Sequence, residues 1–171
     1  FGEIMNILDL TEYLPDIKII YDDFCIKNND IIQPYKGINE ILDYFKNHQS
    51  TYVAIITSKT KLRAEKIIEK FNFANDVLIC PEDVSRGKPN PDPLLKVNKV
   101  FDLRPNQISS LYVGDMFSDY QASISANWHF VHAAWGYGEI LERIHNSNKN
   151  EYVRIERIFH LKDYLLEWVR K

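Results

Sequence analysis

From Tyr35 onward, short apolar runs of strand length alternate with segments whose apolar residues recur at helical spacing. The strand-length runs are YVAIIT at 52–57, VLIC at 77–80, SLYVG at 110–114 and the run at 129–134. Such alternation is typical of βα units built on a mostly parallel sheet. The pattern therefore predicts an α/β core over residues 35–171.

The segments between these runs place apolar residues at positions i, i+3, i+4 and i+7. This spacing gives a helix one apolar face, which it can bury against a sheet. Helices are predicted in this way at 38–45, 64–71, 94–101 and 161–168. The polar stretch HNSNKN at 145–150 separates the last helix from the preceding unit.

Residues 1–34 follow a different pattern, with helical spacing at 3–8 and 14–26 and no strand-length run. Pro15 stands where a helix can begin, and residues 27–30 form a polar break. We predict that residues 1–34 form a separate helical piece.

Composition excludes several classes of protein. The chain has 171 residues, 45% of them hydrophobic, which is enough for one globular core and too many for a disordered segment. Its net charge of −3 is spread without a long run of either sign, so we expect no nucleic-acid or membrane partner. No stretch is long and apolar enough to cross a membrane, and no targeting signal is visible, so a cytoplasmic location is expected.

Two further sequence features are the two cysteines and the first residue. Cys25 and Cys80 share no metal-binding or redox spacing, so both are expected to be reduced and without chemistry. The sequence begins with Phe1 rather than Met, which suggests that it starts inside a longer product.

Ligands of open parallel sheets bind at the carboxyl ends of the strands, so polar residues at these ends are the first candidates. Thr57 and Ser58 directly follow YVAII and offer a hydroxyl and a backbone N–H for phosphate oxygens. The alternative is that they only cap the following helix.

A second candidate is Lys88, which lies between Gly87 and Pro89 in the long loop after VLIC. A lysine restricted in this way can act as a fixed positive charge against a phosphoryl group. The alternative is an ordinary surface lysine.

The third strand end carries two carboxylates. Gly114 lets the chain turn, Asp115 follows it, and Asp119 is expected in the first turn of the next helix. Carboxylate oxygens suit Mg²⁺, and Asp119 could bind the ion directly, bind it through water, or orient Lys88 or Asp115. Either aspartate alone could be a helix cap, but the cluster of strand-end groups favours a site for phosphate and magnesium.

Three segments together resemble motifs of the haloacid dehalogenase (HAD) superfamily, in its phosphoglycolate phosphatase-like branch with a helical cap. YVAIITSKT resembles the second motif with Thr57, SRGKPNPDPLL the third with Lys88, and LYVGDMFSDYQAS the fourth with Asp115 and Asp119. The resemblance implies a Rossmannoid three-layer α/β/α core with a mostly parallel sheet at 35–171. Residues 1–34 would be the C-terminal remnant of the cap.

The resemblance also implies roles for these residues. Lys88, Thr57 and Asp119 would be catalytic, Thr57, Ser58 and Lys88 would bind phosphate, and Asp115 and Asp119 would hold Mg²⁺. The expected function is Mg²⁺-dependent hydrolysis of a small phosphorylated metabolite through an aspartyl-phosphate. The alternatives are a non-catalytic HAD-like binding or regulatory module and, less favoured, a phosphomutase or dehalogenase.

One family motif is missing: the DxDx(T/V) segment of the central strand, which supplies the nucleophile. The nearest string, at 7–11, has Ile7 in the nucleophile's place, and Asp22-Asp23 has the wrong spacing. The first strand would then lie upstream of Phe1, and its two neighbours would have unpaired backbone groups. We expect a longer parent protein to contain the missing segment. The 171-residue chain alone is expected to be inactive and to fill the gap by self-association with another chain, by strand swapping or by strand rearrangement.

Overall fold

The structure is a computed structural model that describes residues 6–103, 110–138 and 152–170. Its helices are α1 (Leu14–Lys27), α2 (Ile38–Lys46), α3 (Lys61–Phe71), α4 (Asp92–Val100), α5 (Phe117–Ser125) and α6 (Ile158–Val169). Its strands are β1 (Ala54–Ile56), β2 (Val77–Ile79), β3 (Leu111–Gly114), β4 (His129–Ala133) and β5 (Tyr152–Ile155). Short 3₁₀ helices occur at Thr11–Tyr13, Asn29–Ile31 and Pro81–Asp83. Along the described parts of the chain, no helix is both long and apolar enough to span a membrane.

The predicted helices and strands are present, with ends that differ by a few residues. The strand predicted at 52–57 is shorter in the structure, because only Ala54–Ile56 pair in register with β2. Asp119 lies in the first turn of α5, as expected. The helical pattern at 3–8 falls partly, and the linker at 145–150 wholly, outside the described residues.

Strand β5 was not predicted. Its sequence YVRI is only four residues long and includes a charged residue, so it gives little signal by itself. It pairs in parallel with β4 along its whole length, from Phe130 opposite Tyr152 to Ala133 opposite Ile155. The partner strand, rather than local sequence, therefore makes this segment a strand.

The strands pair only in parallel and form two ladders, β1-β2 and β3-β4-β5. Side chains of one strand alternate between two faces, and each face has its own core cluster. Tyr112 and Phe130 belong to one cluster with α4 and α5, while their neighbours Val113 and Val131 belong to the other with α2 and α6. The core is thus a sheet layer between two helical layers.

The first core cluster includes residues of both ladders, and the second is contacted from both, so the ladders belong to one layer although no hydrogen bond joins them within the described residues. Ile79 of β2 and Tyr112 of β3 share the first cluster, and Val53 and Leu111 pack against the second. Within the described residues, β1 pairs only with β2, and β3 pairs only with β4. Each of these strands therefore has one edge without a partner, and the apolar β1 is only half-buried.

Helix α1 lies against α3 and is the main structured element of the first 34 residues. Asp22 accepts a hydrogen bond from Arg63 at 3.2 Å, and the Arg63 guanidinium stacks 4.9 Å from the centre of the Tyr21 ring. The helix buries none of its residues, and Ile19, Ile20 and Phe24 are exposed. Polar contacts rather than a shared core connect this helix to α3.

Candidate functional site

Thr57 and Ser58 lie at the carboxyl end of β1, where the chain turns toward α3. The Thr57 N–H donates to the carbonyl oxygen of Ile79 at 3.0 Å, which ties the turn to the end of β2. The Thr57 hydroxyl accepts from the N–H of Lys59 at 3.2 Å. Helix α3 begins at Lys61 without a side-chain cap bond, so the turn hydroxyls are not serving as helix caps.

Lys88 is a largely buried lysine rather than an ordinary surface one. Its side chain is 11% exposed, and its ammonium donates to Asp119 Oδ1 at 2.6 Å and to the Tyr112 hydroxyl at 3.0 Å. Burial lowers the pKa of Lys88, but Tyr112 and Asp119 oppose this strongly enough that the net shift is upward. The ammonium therefore stays charged at neutral pH.

A small cavity joins the loop that carries Lys88 to the end of β1. Thr57, Ser58 and Lys88 line it together, with Cys80 and Pro93 behind them. The three residues predicted to bind phosphate are therefore brought together. A larger open depression lined by Glu40, Tyr44 and Lys162 contains none of the predicted site residues.

Asp119 is fully engaged by the protein. Its Oδ1 accepts from Lys88, and its Oδ2 accepts from the N–H of Met116 at 3.1 Å. The side chain is 6% exposed and presses on Gly114, where an added Cβ would lie 2.6 Å from Asp119 Oδ2. Glycine at 114 is needed for this approach, and the geometry favours Asp119 as the residue that orients Lys88.

Asp115 lies at the carboxyl end of β3 and has one oxygen held by backbone. Its Oδ2 accepts from the N–H groups of Tyr137 at 2.9 Å and Gly138 at 3.1 Å. Among the described residues no donor is recorded for Oδ1. The same part of the chain contains no group of three acidic, histidine or cysteine residues placed to hold a metal, so Asp115 could supply only part of a coordination shell.

Sequence reasoning missed three residues near this site. Tyr112 donates to Asp119 Oδ1 at 3.4 Å, and burial raises the pKa of its hydroxyl to about 12. Lys59 interacts electrostatically with Lys88 and Asp115; burial and the nearby cations lower its pKa. A signal was present for both, since Lys59 directly follows Thr57-Ser58 and Tyr112 lies two residues before Gly114 on the same strand face.

The third missed residue is His132, which lies beside Gly114 in the β3-β4 ladder. It is 2% exposed, and neither ring nitrogen has a hydrogen-bond partner among the described residues. Burial, followed by the charge of Arg154, lowers its pKa. The histidine is therefore held in its neutral form next to the site.

The two aromatic residues after β4 differ from each other. Trp135 packs against the second core cluster. Tyr137 is 94% exposed and its side chain does not join the core. Cys25 and Cys80 are both free, and burial raises the pKa of the Cys80 thiol to about 11.

The known proteins whose sequences resemble this chain include phosphatases of small phosphorylated compounds. The chain is 30% identical over 107 residues to the N-acetylmuramic acid 6-phosphate phosphatase of Pseudomonas aeruginosa, covering 61% of this chain and 46% of that protein. It is 29% identical over 105 residues to the phosphoglycolate phosphatase of Nitrosococcus oceani, covering 60% and 45%. The chain thus spans about half the length of these curated relatives.

Solved structures agree on the fold. A crystal structure from Lactobacillus plantarum, provisionally named a phosphoglycolate phosphatase, is 25% identical with a TM-score of 0.75. The alignment covers 97% of this chain and 75% of that one. The sequence profile of the haloacid dehalogenase-like hydrolases matches residues 2–133, well over half of the chain. The chain therefore belongs to the haloacid dehalogenase-like hydrolase family.

Proposed function

We propose that this chain is the core of a Mg²⁺-dependent phosphatase that hydrolyses a small phosphate monoester. The observation that carries the proposal is the buried Lys88–Asp119 pair, whose lysine shares a cavity with Thr57 and Ser58. A largely buried cation beside a turn that carries a hydroxyl suits a phosphoryl group, because such groups stabilise the charge that develops on its oxygens. Two curated relatives are named as phosphatases of different phosphate esters, which supports the reaction class rather than one substrate.

Each residue has a distinct role in this proposal. The Thr57 hydroxyl and the Ser58 N–H position the phosphate, and Lys88 holds a positive charge against it. Asp119 orients Lys88 and keeps it protonated. Asp115 Oδ1 accepts no hydrogen bond from the described residues, so Asp115 fits as one ligand of Mg²⁺, which when bound would neutralise the phosphoryl oxygens.

The nucleophile has to come from elsewhere. Of the aspartates at these strand ends, Asp119 is engaged on both oxygens and Asp115 is bound by two N–H groups. We infer that an additional strand pairs with the open edges of β1 and β3 and brings an aspartate to the carboxyl end of the sheet. That carboxylate would attack phosphorus, expel the alcohol and form an aspartyl-phosphate, which water then hydrolyses.

The source of this strand is a longer natural polypeptide or a second copy of the chain. Since strand edges with unpaired N–H and C=O groups readily accept another strand, either source is physically reasonable. If the source is a longer polypeptide, the 171 residues alone bind ligands but do not turn over substrate, whereas a second copy would give an active assembly of the 171-residue chain. Size-exclusion chromatography of the 171-residue chain, with and without an upstream segment from its natural gene, separates the two sources.

The proposal is tested with p-nitrophenyl phosphate and a panel of phosphorylated acids and sugars, using the natural polypeptide that carries this sequence. We expect Mg²⁺-dependent phosphate release that is reduced at least 100-fold in Lys88→Ala and in Asp115→Ala, in line with the loss of electrostatic stabilisation. The matched control is Arg86→Ala, because Arg86 is also an ion-paired cation of the same loop but is exposed. Equal activity in Lys88→Ala and Arg86→Ala would contradict the proposal.

A second candidate, a non-catalytic binding module, is favoured by one observation: no aspartate with a free carboxylate faces Lys88 in the described residues. This module would bind phosphate through the same groups without hydrolysis. Calorimetric binding of orthophosphate by a natural polypeptide that shows no turnover with any ester would favour it over the enzyme.

A further inference from the structure

The loop that follows β4 folds over Asp115. The N–H of Gly136 donates to the carbonyl oxygen of Ala133 at 2.9 Å and closes a turn directly at the end of the strand. The next two N–H groups, of Tyr137 and Gly138, then point at Asp115 Oδ2. One carboxylate oxygen is therefore fixed by two backbone donors that lie 22 and 23 residues further along the chain.

The close approach depends on glycine at two positions of this loop. A Cβ added to Gly136 would overlap the side chain of Asp115, and one added to Gly138 would overlap the carbonyl group of Asp115. Real side chains do not tolerate such contacts, so either substitution has to move the loop or the aspartate.

The loop is also anchored just ahead of its donors. Trp135 packs against the core cluster that contains Val131 and Ile155, which fixes the start of the turn. The Tyr137 side chain is almost fully exposed, and its hydroxyl contacts Tyr35; burial and this neighbouring hydroxyl raise the pKa of Tyr35. The Tyr137 side chain itself does not hold Asp115, because the contact is made through its backbone N–H.

We propose that residues 135–138 are a positioning element that fixes the Asp115 carboxylate so that Oδ1 faces the cation. This inference rests on the proposed function, in which Asp115 is a ligand of Mg²⁺. Two donors on Oδ2 restrict rotation of the carboxylate, and a preoriented ligand loses less conformational freedom when the ion binds. The loop thereby sets the affinity for Mg²⁺, and it does not take part in binding or transferring the phosphoryl group.

The test measures Mg²⁺ binding by isothermal titration calorimetry on the natural polypeptide, together with its melting temperature and its orthophosphate affinity without metal. We expect Gly138→Ala to weaken Mg²⁺ binding by about 10- to 100-fold, the usual effect of losing support behind a metal ligand. Orthophosphate affinity should change less than about twofold, since metal-support residues act on the cation. Tyr35→Phe is the matched control, because it removes only the hydroxyl that contacts Tyr137 and keeps both N–H donors, and it should bind Mg²⁺ like the wild type.

A second measurement covers the case in which Gly138→Ala does not fold. In two-dimensional NMR spectra of the wild-type protein, the amide signals of Tyr137 and Gly138 should shift during a Mg²⁺ titration in step with the fraction of protein that has bound Mg²⁺. Unmoved signals for these amides in a protein that binds Mg²⁺ would overturn the inference, as would unchanged affinity in folded Gly138→Ala.

The variant Asp115→Ala separates this inference from the function on which it rests. If the wild type and Asp115→Ala bind Mg²⁺ equally, Asp115 is not a ligand and the metal part of the proposed function fails together with the positioning role. If Asp115→Ala loses binding but Gly138→Ala does not, the function stands and the positioning role alone is refuted.

Discussion

Removing the carboxylate of Asp119 should destabilise the folded chain strongly. The side chains of Lys88 and Asp119 are 11% and 6% exposed, so water cannot replace the lost partner. Breaking a buried ion pair on one side costs about 3–5 kcal/mol, because the remaining charge stays buried without compensation. For a domain of this size each kcal/mol lowers the melting temperature by about 2–4 °C, so Asp119→Ala should melt about 6–20 °C lower.

Three variants separate the ion pair from other effects of the substitution. Asp119→Asn keeps the side-chain volume and an acceptor for Met116 but removes the charge, so it should lose most of the same stability. The double variant Lys88→Met with Asp119→Leu removes both charges and should recover much of it, since apolar replacements of buried pairs are often neutral. Asp92→Asn breaks the solvent-exposed pair with Arg86 and should leave the melting temperature close to that of wild type.

The assay is thermal unfolding followed by circular dichroism at low and high salt. Salt should change the effect of Asp119→Ala little, because buried pairs are poorly screened. A melting temperature for Asp119→Ala within about 2 °C of wild type, less than about 1 kcal/mol for this size, would refute the reasoning. It would mean that Lys88 finds another partner or reaches water.

The remaining predictions concern pH, anion binding and the open strand edges. Burial and Arg154 lower the folded-state pKa of His132 below its ordinary 6.5, so the unfolded chain binds the proton more readily. Stability should therefore fall as pH drops below about 6.5, and His132→Phe should flatten this part of the urea-denaturation profile against pH; an unchanged profile would contradict the assignment. Lys59→Ala should weaken calorimetric orthophosphate binding, and Lys61→Ala, whose charge is paired with Asp83, should not; equal losses would argue against a role for Lys59. In the 171-residue chain, hydrogen exchange should be faster in β1 and β3 than in β4, which is paired on both edges; equal protection would show that another strand already fills the gap.

Local sequence was sufficient for most of the secondary structure. Apolar residues at helical spacing predicted α2, α3, α4 and α6, and strand-length apolar runs predicted β1 to β4, because both periodicities follow from backbone geometry. Strand β5 escaped this reasoning, since Arg154 interrupts a run of only four residues and the hydrogen bonds to β4 supply what local preference lacks.

The sequence by itself also determined where the polar site lies, because Thr57 and Asp115 directly follow strands whose carboxyl ends must meet in a parallel sheet. Only the tertiary structure decided which of these polar groups pair with one another. Lys88 could have paired with either aspartate, and the packing of α5 beside Gly114 gave it Asp119. Segments distant in sequence decide that Asp115 contacts the Tyr137 and Gly138 amides. They also decide that Trp135 packs against the core while Tyr137 is exposed. Such contacts are set by the close packing of the whole core, which no local pattern encodes.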